Sequence, residues 1–272
     1  MLGNGIKYDN NHMNAEIIEY KNTTPKTLNL VVLGLDEEET RSDVIALLNY
    51  NLENGDLNIL SIPRDTRVLV NGEYTKVNAL VGMGGERLLI DKLEELTDLP
   101  IDFYFTINFK GFRQIIDELG GVELTIKTNM DYDDPEQNLH IHLKKGKRLL
   151  DGEKAEEFVR YRKGNRAGTG YTFGDLDRVK AQQEFIKAFI DQKAKLKYIS
   201  KANEVFLILK KYMRTNVEIG DLSLFVEGLA KLKPNEIKTY TLPGDSKVLH
   251  DVWYFIYNRE STIELVKSSF SK

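Results

Sequence analysis

Six arginines lie where the sequence predicts strand ends, loops or the start of a helix. They are Arg41, Arg64, Arg160, Arg162, Arg166 and Arg178. The planar guanidinium group pairs with two phosphate oxygens at once, which the point charge of a lysine does not do. Scattered surface ion pairs are the more common explanation of such a set. The arginines therefore suggest a phosphorylated ligand, and this hypothesis depends on which other residues accompany them.

Two aspartates accompany these arginines at the ends of apolar segments. Asp36 directly follows the run Leu28–Leu35, and Asp43 precedes the next run. Arg64 follows a third run, and ligand crevices of open α/β sheets lie at the carboxyl ends of strands. If the strands are neighbours, the carboxylates converge, and two carboxylates completed by phosphate oxygens describe a Mg²⁺ site. The glutamates Glu37–Glu39 between them favour a solvated acidic turn, with a further metal ligand as the alternative.

A polar face at the start of a long predicted helix points to the same kind of site. Arg178 and Gln182 are four residues apart and therefore share one helix face. Phe185 and Phe189 continue near that face toward the core. Helix N-termini attract anions, and Asp175 is a candidate N-cap for this helix. The N-terminal end of the helix is expected to line a pocket.

The composition limits the classes of chemistry. The chain of 272 residues has no cysteine, which excludes disulfides, thiolate zinc sites and cysteine nucleophiles. Its four histidines are too scattered to predict a strong histidine metal site. His140 and His142 alternate and would share a strand face, for which a solvated surface is the favoured interpretation. The net charge of −4 argues against nucleic acid as a partner.

The amino-terminal segment differs from the rest of the chain. Residues 1–27 are polar and carry no signal-peptide pattern, and no linker follows them, so residues 28–272 are expected to form one domain. No apolar run approaches the roughly 18 residues that span a bilayer. A cytosolic protein and an ectodomain cut from its anchor both fit this composition.

Apolar periodicity predicts alternating strands and helices. Strands are predicted over 28–35, 44–50, 57–62, 66–70, 73–78, 103–109, 122–126 and 237–242, and helices over 86–97, 112–119, 152–161, 175–197, 198–214, 222–232 and 261–269. The alternation predicts a layered α/β domain. The acidic stretch 131–138 is interpreted as a loop, and the glycine-rich stretch 163–174 as a mobile loop.

Five motifs follow one another in the first two thirds of the chain. They are LGLDEEETRSDVIALL, LSIPRDTRV, KVNALVGMGGERLLIDKLEELTDLPIDFYFTINFKGFRQIIDELGGVELTI, LDGEKAEEFVRYRK and GDLDRVKAQQEFIKAFI. In this order they resemble the LytR-CpsA-Psr family of cell-wall glycopolymer transferases, over about Leu28 to Asp191. Several linked motifs are far more specific than a single short one.

The resemblance implies a fold, a reaction and a location. The implied fold is a three-layer α/β/α sandwich with a central mixed sheet and a hydrophobic cleft for a polyprenyl chain. The implied reaction moves a phosphoglycan from a polyprenyl-pyrophosphate carrier to the muramic-acid 6-hydroxyl of peptidoglycan, with Mg²⁺ or Mn²⁺ as cofactor. The family further implies the extracellular face of the cell membrane and an amino-terminal membrane helix that is missing from this chain.

The resemblance also assigns roles to individual residues. Asp36 and Asp43 match the metal-associated aspartates, and together with Arg41 and Arg64 they form the expected catalytic set. The expected pyrophosphate-binding residues are Arg41, Arg64, Lys76, Arg160, Arg162, Arg178 and Gln182. Asp65 is expected to orient Arg64. Lys76 is the one member of these sets that physical reasoning alone did not single out.

The chain departs from the family pattern at two points. Ala181 stands where the family's helix has a second arginine, and the short acidic turn after Asp36 replaces a longer, often basic segment. The residues leave two alternatives open, a hydrolase of polyprenyl-pyrophosphate lipids and a non-catalytic lipid- or glycan-binding regulator. The glycan and the choice between peptidoglycan and protein as acceptor also stay open.

Overall fold

The structure is a computed structural model, and it describes residues 26–36, 38–135, 139–166, 169–171, 175–193, 206–207, 210–233 and 236–270. The strands are β1 (Thr27–Leu35), β2 (Ser42–Asn51), β3 (Leu57–Ser61), β4 (Arg67–Val70), β5 (Glu73–Lys76), β6 (Phe103–Asn108), β7 (Val122–Ile126), β8 (Met130–Asp134), β9 (Leu139–Leu143), β10 (Gly146–Leu150), β11 (Met213–Thr215), β12 (Lys238–Thr241), β13 (Gly244–Leu249) and β14 (Val252–Tyr257). The α-helices are α1 (Leu80–Thr97), α2 (Phe109–Glu118), α3 (Gly152–Arg160), α4 (Asp175–Lys193), α5 (Leu222–Lys231) and α6 (Arg259–Ser269).

A mixed sheet of six strands forms the centre of the fold. Its strand order is β11-β6-β1-β2-β3-β12. β2 is antiparallel to both β1 and β3, whereas β6 runs parallel to β1 and β12 runs parallel to β3. The carboxyl ends of β1, β3, β6 and β12 and the amino end of β2 therefore meet at one edge of the sheet.

Helices cover both faces of this sheet. Alternate residues of β1, such as Val31 and Leu33, pack on one face in a core that also contains Leu89 of α1. On the opposite face, Leu30 packs in a cluster that includes Ile190 of α4 and, from α5, the partly buried Leu224 and Phe225. Burial on both faces explains the nearly continuous apolar sequence of β1. The three-layer α/β/α sandwich predicted from the sequence is confirmed.

A second body, called the hairpin body, packs beside the sheet. The consecutive strands β8 and β9 form an antiparallel hairpin, and β7 and β10, on either side of it in the chain, also pair antiparallel. The two strand pairs share a core with α3 and α4, built from residues such as Met130, Ile141, Phe158 and Phe185. This unit places its inner face near the edge where the strands end.

The prediction of a loop over 131–138 is wrong for residues that form β8. Asp131 and Asp133 are exposed, while Met130 is buried and Tyr132 is half-buried between them. The segment therefore has the period-two alternation of a half-buried strand, and Asp131 and Asp133 occupy the outer face. Its high content of acidic residues hid this period. Residues 136–138 of the predicted loop lie outside the described residues.

Several smaller differences concern the ends of elements. α1 begins at Leu80 rather than at 86, with non-helical backbone at Gly84 and Gly85, the latter at φ 70°. Phe109 begins α2 instead of ending β6. In the predicted helix over 198–214, residues 198–205, 208 and 209 lie outside the described part, and Met213–Thr215 forms an edge strand on β6. The hairpin β13–β14 was not predicted.

Other local predictions are confirmed. Asn71 and Gly72 connect β4 to β5 with φ of 50° and 85°, as expected for the two-residue turn that this dipeptide favours. Within the described residues, no helix combines the length and apolar character needed to cross a bilayer.

Candidate active site

The edge where the central strands end carries the first group of predicted site residues. Asp36 follows β1, Asp43 is the second residue of β2, and Arg64 follows β3 by three residues. A cavity of about 770 Å³ opens here, between the sheet edge, the β4–β5 and β8–β9 hairpins, α3 and α4. All nine predicted site residues line it, namely Asp36, Arg41, Asp43, Arg64, Lys76, Arg160, Arg162, Arg178 and Gln182. The sheet and the hairpin body thus each contribute one side of a single site.

The cavity is strongly cationic. Its lining includes seven lysine and arginine side chains and three aspartates, although the chain as a whole has a net charge of −4. A concave surface with an excess of one sign of charge concentrates ligands of the opposite sign. The arrangement is suited to a ligand with several negative charges, such as a pyrophosphate.

The carboxylate of Asp36 organises the turn that holds Arg41. Its Oδ1 accepts hydrogen bonds from the backbone N–H of Thr40 at 2.9 Å and of Arg41 at 3.1 Å. The N–H of Gly82 donates to the carbonyl of Thr40 at 3.0 Å. A Cβ at Gly82 would lie 2.8 Å from that carbonyl oxygen, so the close approach requires glycine. The turn is thereby fixed against α1.

The acidic turn is tied to residues outside the cavity. The carboxylate of Glu39 accepts from Asn108 Nδ2 at 2.8 Å and pairs with Arg214 at 2.6 Å. Arg214 pairs in addition with Glu86 at 2.5 Å. The half-buried Glu39 is therefore neither freely solvated nor directed into the cavity, while Glu38 is exposed and Glu37 lies outside the described residues.

Asp43 holds Arg64, which corrects the expectation that Asp65 does so. Arg64 Nη1 lies 2.5 Å from Asp43 Oδ1, whereas Asp65 Oδ1 lies 2.8 Å from Lys76 Nζ. Arg64 and Asp65 are the central residues of the turn closed by Thr66 N–H on the Pro63 carbonyl, so their side chains diverge toward β2 and β5. Both ion pairs are partly exposed, so each contributes at most about 1 kcal/mol to stability. Their main effect is to orient the two cations.

Arg160 is fixed by a carboxylate and an aromatic ring. Its Nη1 donates to Oε1 of the buried Glu156 at 2.8 Å, and its guanidinium carbon lies 4.6 Å from the centre of the Phe109 ring. Glu156 also pairs with Arg113. Arg160 ends α3, where a positive charge interacts favourably with the helix dipole. The side chain is thus positioned before any ligand binds.

Tyr161 separates Arg160 from Arg162 and anchors the segment in the core. It is 1% exposed and packs edge-on against Tyr171, with 5.3 Å between ring centres. Burial raises the pKa of both Tyr161 and Tyr171, so their phenols remain neutral at physiological pH. With the tyrosine directed inward, the arginines on either side reach the cavity. Arg166, also noted in the sequence, is exposed and is not part of the cavity lining.

Helix α4 presents Arg178 and Gln182 to the cavity, as their spacing predicted. Both are 8% exposed, and Gln182 Nε2 donates to the Val159 carbonyl at 3.0 Å, which links α4 to α3. The neighbouring Gln183, which does not line the cavity, was not predicted from the sequence. Its Nε2 contacts Ser61 Oγ at 3.0 Å and the Tyr240 carbonyl at 2.8 Å, so it joins α4 to the ends of β3 and β12. α4 begins at Asp175, whose side chain lies outside the described set.

A second, apolar cavity lies between the sheet and helices α4 and α5. It measures about 220 Å³. Its lining consists of Leu28, Leu30, Val32, Leu48, Tyr50, Leu57, Phe105, Ile190, Leu224, Phe225, Gly228 and Leu232. The structure therefore provides an apolar space next to the same helix that supplies Arg178 and Gln182.

Comparison with known proteins identifies the family. A sequence model described as the LytR_cpsA_psr family matches residues 3–270. The chain belongs to the LytR-CpsA-Psr family. The match extends well beyond the segment of about Leu28 to Asp191 over which the motifs were recognised, and thus includes the strands and helices at the carboxyl end.

Relatives within the LytR-CpsA-Psr family are named as transferases. The chain is 32% identical over 243 residues to the polyisoprenyl-teichoic acid–peptidoglycan teichoic acid transferase TagU of Oceanobacillus iheyensis, covering 86% of this chain and 72% of the relative. It is 28% identical over 256 residues to the transferase TagV of Bacillus subtilis, covering 90% of this chain and 63% of that relative. The chain therefore spans less than two thirds of the length of TagV.

Solved structures show the same fold. The crystal structure of B. subtilis TagV matches with a TM-score of 0.77 at 25% identity, over 92% of this chain and 97% of that one. A structure described as TagT bound to LI-WTA matches with a TM-score of 0.71 at 27% identity, over 89% of both chains. The central mixed sheet and its covering helices are thus those of the LytR-CpsA-Psr fold.

The cavity also contains residues that the sequence reasoning did not select. Among them are Thr75, Asn78, Phe109, Tyr132 and Lys163. Lys163 directly follows Arg162, and Thr75 directly precedes Lys76, so their proximity in sequence to predicted cations would have suggested them. Asn78 donates its backbone N–H to the Arg64 carbonyl at 3.2 Å, and no sequence signal indicates that contact. Tyr132 was missed because its strand was interpreted as a loop.

Proposed function

We propose that this LytR-CpsA-Psr protein transfers a phosphoglycan from a polyprenyl-pyrophosphate carrier onto peptidoglycan. The observation that carries the proposal is that α4 borders both cavities, with Arg178 in the cationic one and Ile190 in the apolar one. Twelve helical residues span about 18 Å. A donor with a charged head and a long apolar chain matches this pairing, and the relatives' names as teichoic acid transferases support it.

The arginines bind the donor's pyrophosphate. Arg64 and Arg160 are held by Asp43 and by Glu156, so their guanidinium groups are oriented before the donor enters. Preorganised charges stabilise a transition state without the cost of reorganising during the reaction. Phosphoryl transfer depends mainly on this positioning and charge stabilisation.

The transfer makes one bond and breaks one bond. The oxygen of the muramic-acid 6-hydroxyl attacks the phosphorus next to the glycan, and the bond from that phosphorus to the bridging oxygen breaks. The products are a glycan phosphodiester on peptidoglycan and polyprenyl phosphate. The cavity's cations stabilise the charge on the leaving phosphate. One of the two carboxylates, Asp36 or Asp43, accepts the proton of the hydroxyl, and it would be a weaker base while it also holds a metal ion.

Asp36 and Asp43 also suit a divalent cation. Asp36 Oδ1 accepts the amides of Thr40 and Arg41, and its Oδ2 has only a long contact with the Thr40 hydroxyl at 3.5 Å. Asp43 Oδ1 pairs with Arg64. In both residues Oδ2 is the oxygen that faces fewer competing partners. Two carboxylates with phosphate oxygens as the remaining ligands match the preference of Mg²⁺, and Mn²⁺ accepts the same donors. A bound Mg²⁺ would neutralise charge on the pyrophosphate. We propose these two residues as its ligands.

The proposal places the protein where its two substrates meet. A polyprenyl carrier is anchored in a bilayer and peptidoglycan lies outside it, so the reaction belongs at the extracellular face of the cell membrane. Nucleic acid has no part in this reaction.

Supplying a lipid-linked glycan with and without peptidoglycan tests the function. We expect glycan to become covalently attached to peptidoglycan, with one polyprenyl phosphate released per glycan attached, and little release without the acceptor. Release of phosphoglycan at the same rate in the absence of peptidoglycan would identify a hydrolase instead. Binding of the donor without turnover in any mixture would identify a regulator. Omitting and restoring Mg²⁺ in the same assay tests the cofactor.

A further inference from the structure

The outer face of the β8–β9 hairpin carries two aspartates opposite two histidines. Asp131 pairs across the strands with His142, and Asp133 pairs with His140. Side chains directly opposite each other in an antiparallel pair have Cβ atoms about 5 Å apart. All four residues are exposed, and none of them lines the cationic cavity. The cluster is therefore separate from the site described above.

We propose that this cluster binds a divalent transition-metal ion of the Zn²⁺ class. The ligands are Asp133, His140 and His142, whose ligand atoms lie within 4.8 Å of one another. Among the described residues, no other group of three or more histidine, aspartate or glutamate side chains lies close enough together to share an ion. Imidazole ligands favour Zn²⁺, Ni²⁺ or Cu²⁺ over Mg²⁺, so the preferred ion differs from that proposed for Asp36 and Asp43.

The distances are close to those of a tetrahedral site. Metal–ligand bonds of 2.0–2.1 Å at tetrahedral angles place two ligand atoms about 3.3 Å apart. His142 Nε2 lies 3.3 Å from Asp133 Oδ1. His140 Nδ1 lies 2.6 Å from the same oxygen and must move away by about 0.7 Å for an ion to enter. The rings are exposed, so a rotation of this size meets little resistance.

Asp131 acts as a positioning residue for His142. Its Oδ1 lies 2.7 Å from His142 Nδ1, which leaves Nε2 directed toward Asp133. Metal-binding histidines almost always donate their second ring N–H to such a carboxylate, which fixes the tautomer and the ring orientation. The three ligands and this supporting carboxylate leave one tetrahedral position for water.

An ion at this position would brace one wall of the cationic cavity. Tyr132 and Leu139, on the inner face of the same hairpin, line that cavity. Asn165 clamps the Asp133 backbone, accepting its N–H at 2.6 Å and donating to its carbonyl at 2.8 Å. Asn165 belongs to the segment that follows Arg162. Cross-linking the strands with a metal therefore stabilises both the hairpin and its connection to that segment.

Titrating ZnCl₂ into the untagged, chelator-treated chain by calorimetry tests the proposal, with Mg²⁺ present throughout to occupy other carboxylates. We expect one Zn²⁺ per chain, with at least about a tenfold weaker affinity in both His140→Gln and His142→Gln. His250→Asn, another exposed histidine on a turn, is the matched control and should bind like the wild type. Asp131→Asn should weaken binding by about tenfold, because supporting carboxylates have effects of that size.

Hydrogen exchange provides a readout that is independent of affinity. Zn²⁺ should slow amide exchange in β8 and β9 of the wild type and of His250→Asn, and leave exchange unchanged in His142→Gln. Circular dichroism checks that each variant is folded. Equal Zn²⁺ binding by the wild type and the double variant His140→Gln/His142→Gln would overturn the proposal, as would the absence of any binding to the wild type.

Discussion

Helix α4 borders both the cationic and the apolar cavity, but the side chains that line the two cavities are held in place in different ways. The cationic one is lined by charged side chains that other charged or polar groups hold in place, as Asp43 holds Arg64. The apolar one is lined by side chains that pack against one another, as Phe225 packs edge-on against Phe105 at 5.9 Å between ring centres. The first arrangement fixes direction, and the second provides an adaptable surface. The difference matches a donor whose head must be aligned for chemistry and whose chain needs only burial.

Removing a charge from the cationic cavity should have the largest effect. Arg64→Ala is expected to lower the transfer rate by about 100-fold or more, because a lost preorganised donor to a developing anion has an effect of that order. The variant should remain folded, since the partly exposed pair with Asp43 contributes little stability. The rate of glycan attachment to peptidoglycan, measured at saturating donor, provides the test.

Two matched variants sharpen that result. Arg87→Ala removes an equally long cation whose side chain is 80% exposed and pairs with Asp91 on α1, and should transfer at the wild-type rate. Arg64→Lys retains the charge without the planar fork and should recover only part of the loss. Wild-type transfer by a folded Arg64→Ala protein would contradict the assignment of this cavity.

Removing a side chain from the wall of the apolar cavity should have a smaller effect, which depends on the length of the donor's prenyl chain. Phe225→Ala is expected to raise KM for a long-chain polyprenyl donor about tenfold, because a half-buried ring contributes roughly 1.5 kcal/mol of apolar contact. A donor with a short prenyl chain should show no such change. Comparing KM for the two donors separates lost chain contacts from a general defect.

Phe112→Ala is the control for lost packing. This half-buried ring packs on Phe185 at 5.5 Å between ring centres, in the core of the hairpin body, away from the apolar cavity. The Phe112→Ala variant should have a lower melting temperature, and any change in KM should be the same for long-chain and short-chain donors. If Phe225→Ala raises KM equally for both donors, the apolar cavity does not bind the chain.

The sequence predicted the cationic cavity better than the apolar one. Residues of the cationic cavity stand at strand ends, where the polar residue after an apolar run is visible, as Asp36 is after β1. The apolar cavity is lined by residues such as Leu30 and Ile190, which have the same periodicity as any core residue. Nothing in the sequence distinguishes a core position that is filled from one that borders a space. The family resemblance supplied that cleft as an expectation.

Pairings between side chains were the least predictable feature. The sequence placed Asp65 beside Arg64, yet the turn directs Asp65 to Lys76 and leaves Arg64 to Asp43, 21 residues away. The role of Glu39 likewise depends on Arg214, 175 residues distant in the chain. Such contacts depend on how elements pack. Local spacing located the residues themselves, but it carries little information about these contacts.

A structure of the protein with a bound polyprenyl-pyrophosphate lipid tests the central claim most directly. The account predicts that the pyrophosphate contacts Arg64, Arg160 and Arg178, and that the chain runs along α4 into the space bordered by Ile190 and Phe225. A pyrophosphate bound away from these arginines, or a chain lying outside the space between the sheet and helices α4 and α5, would contradict it.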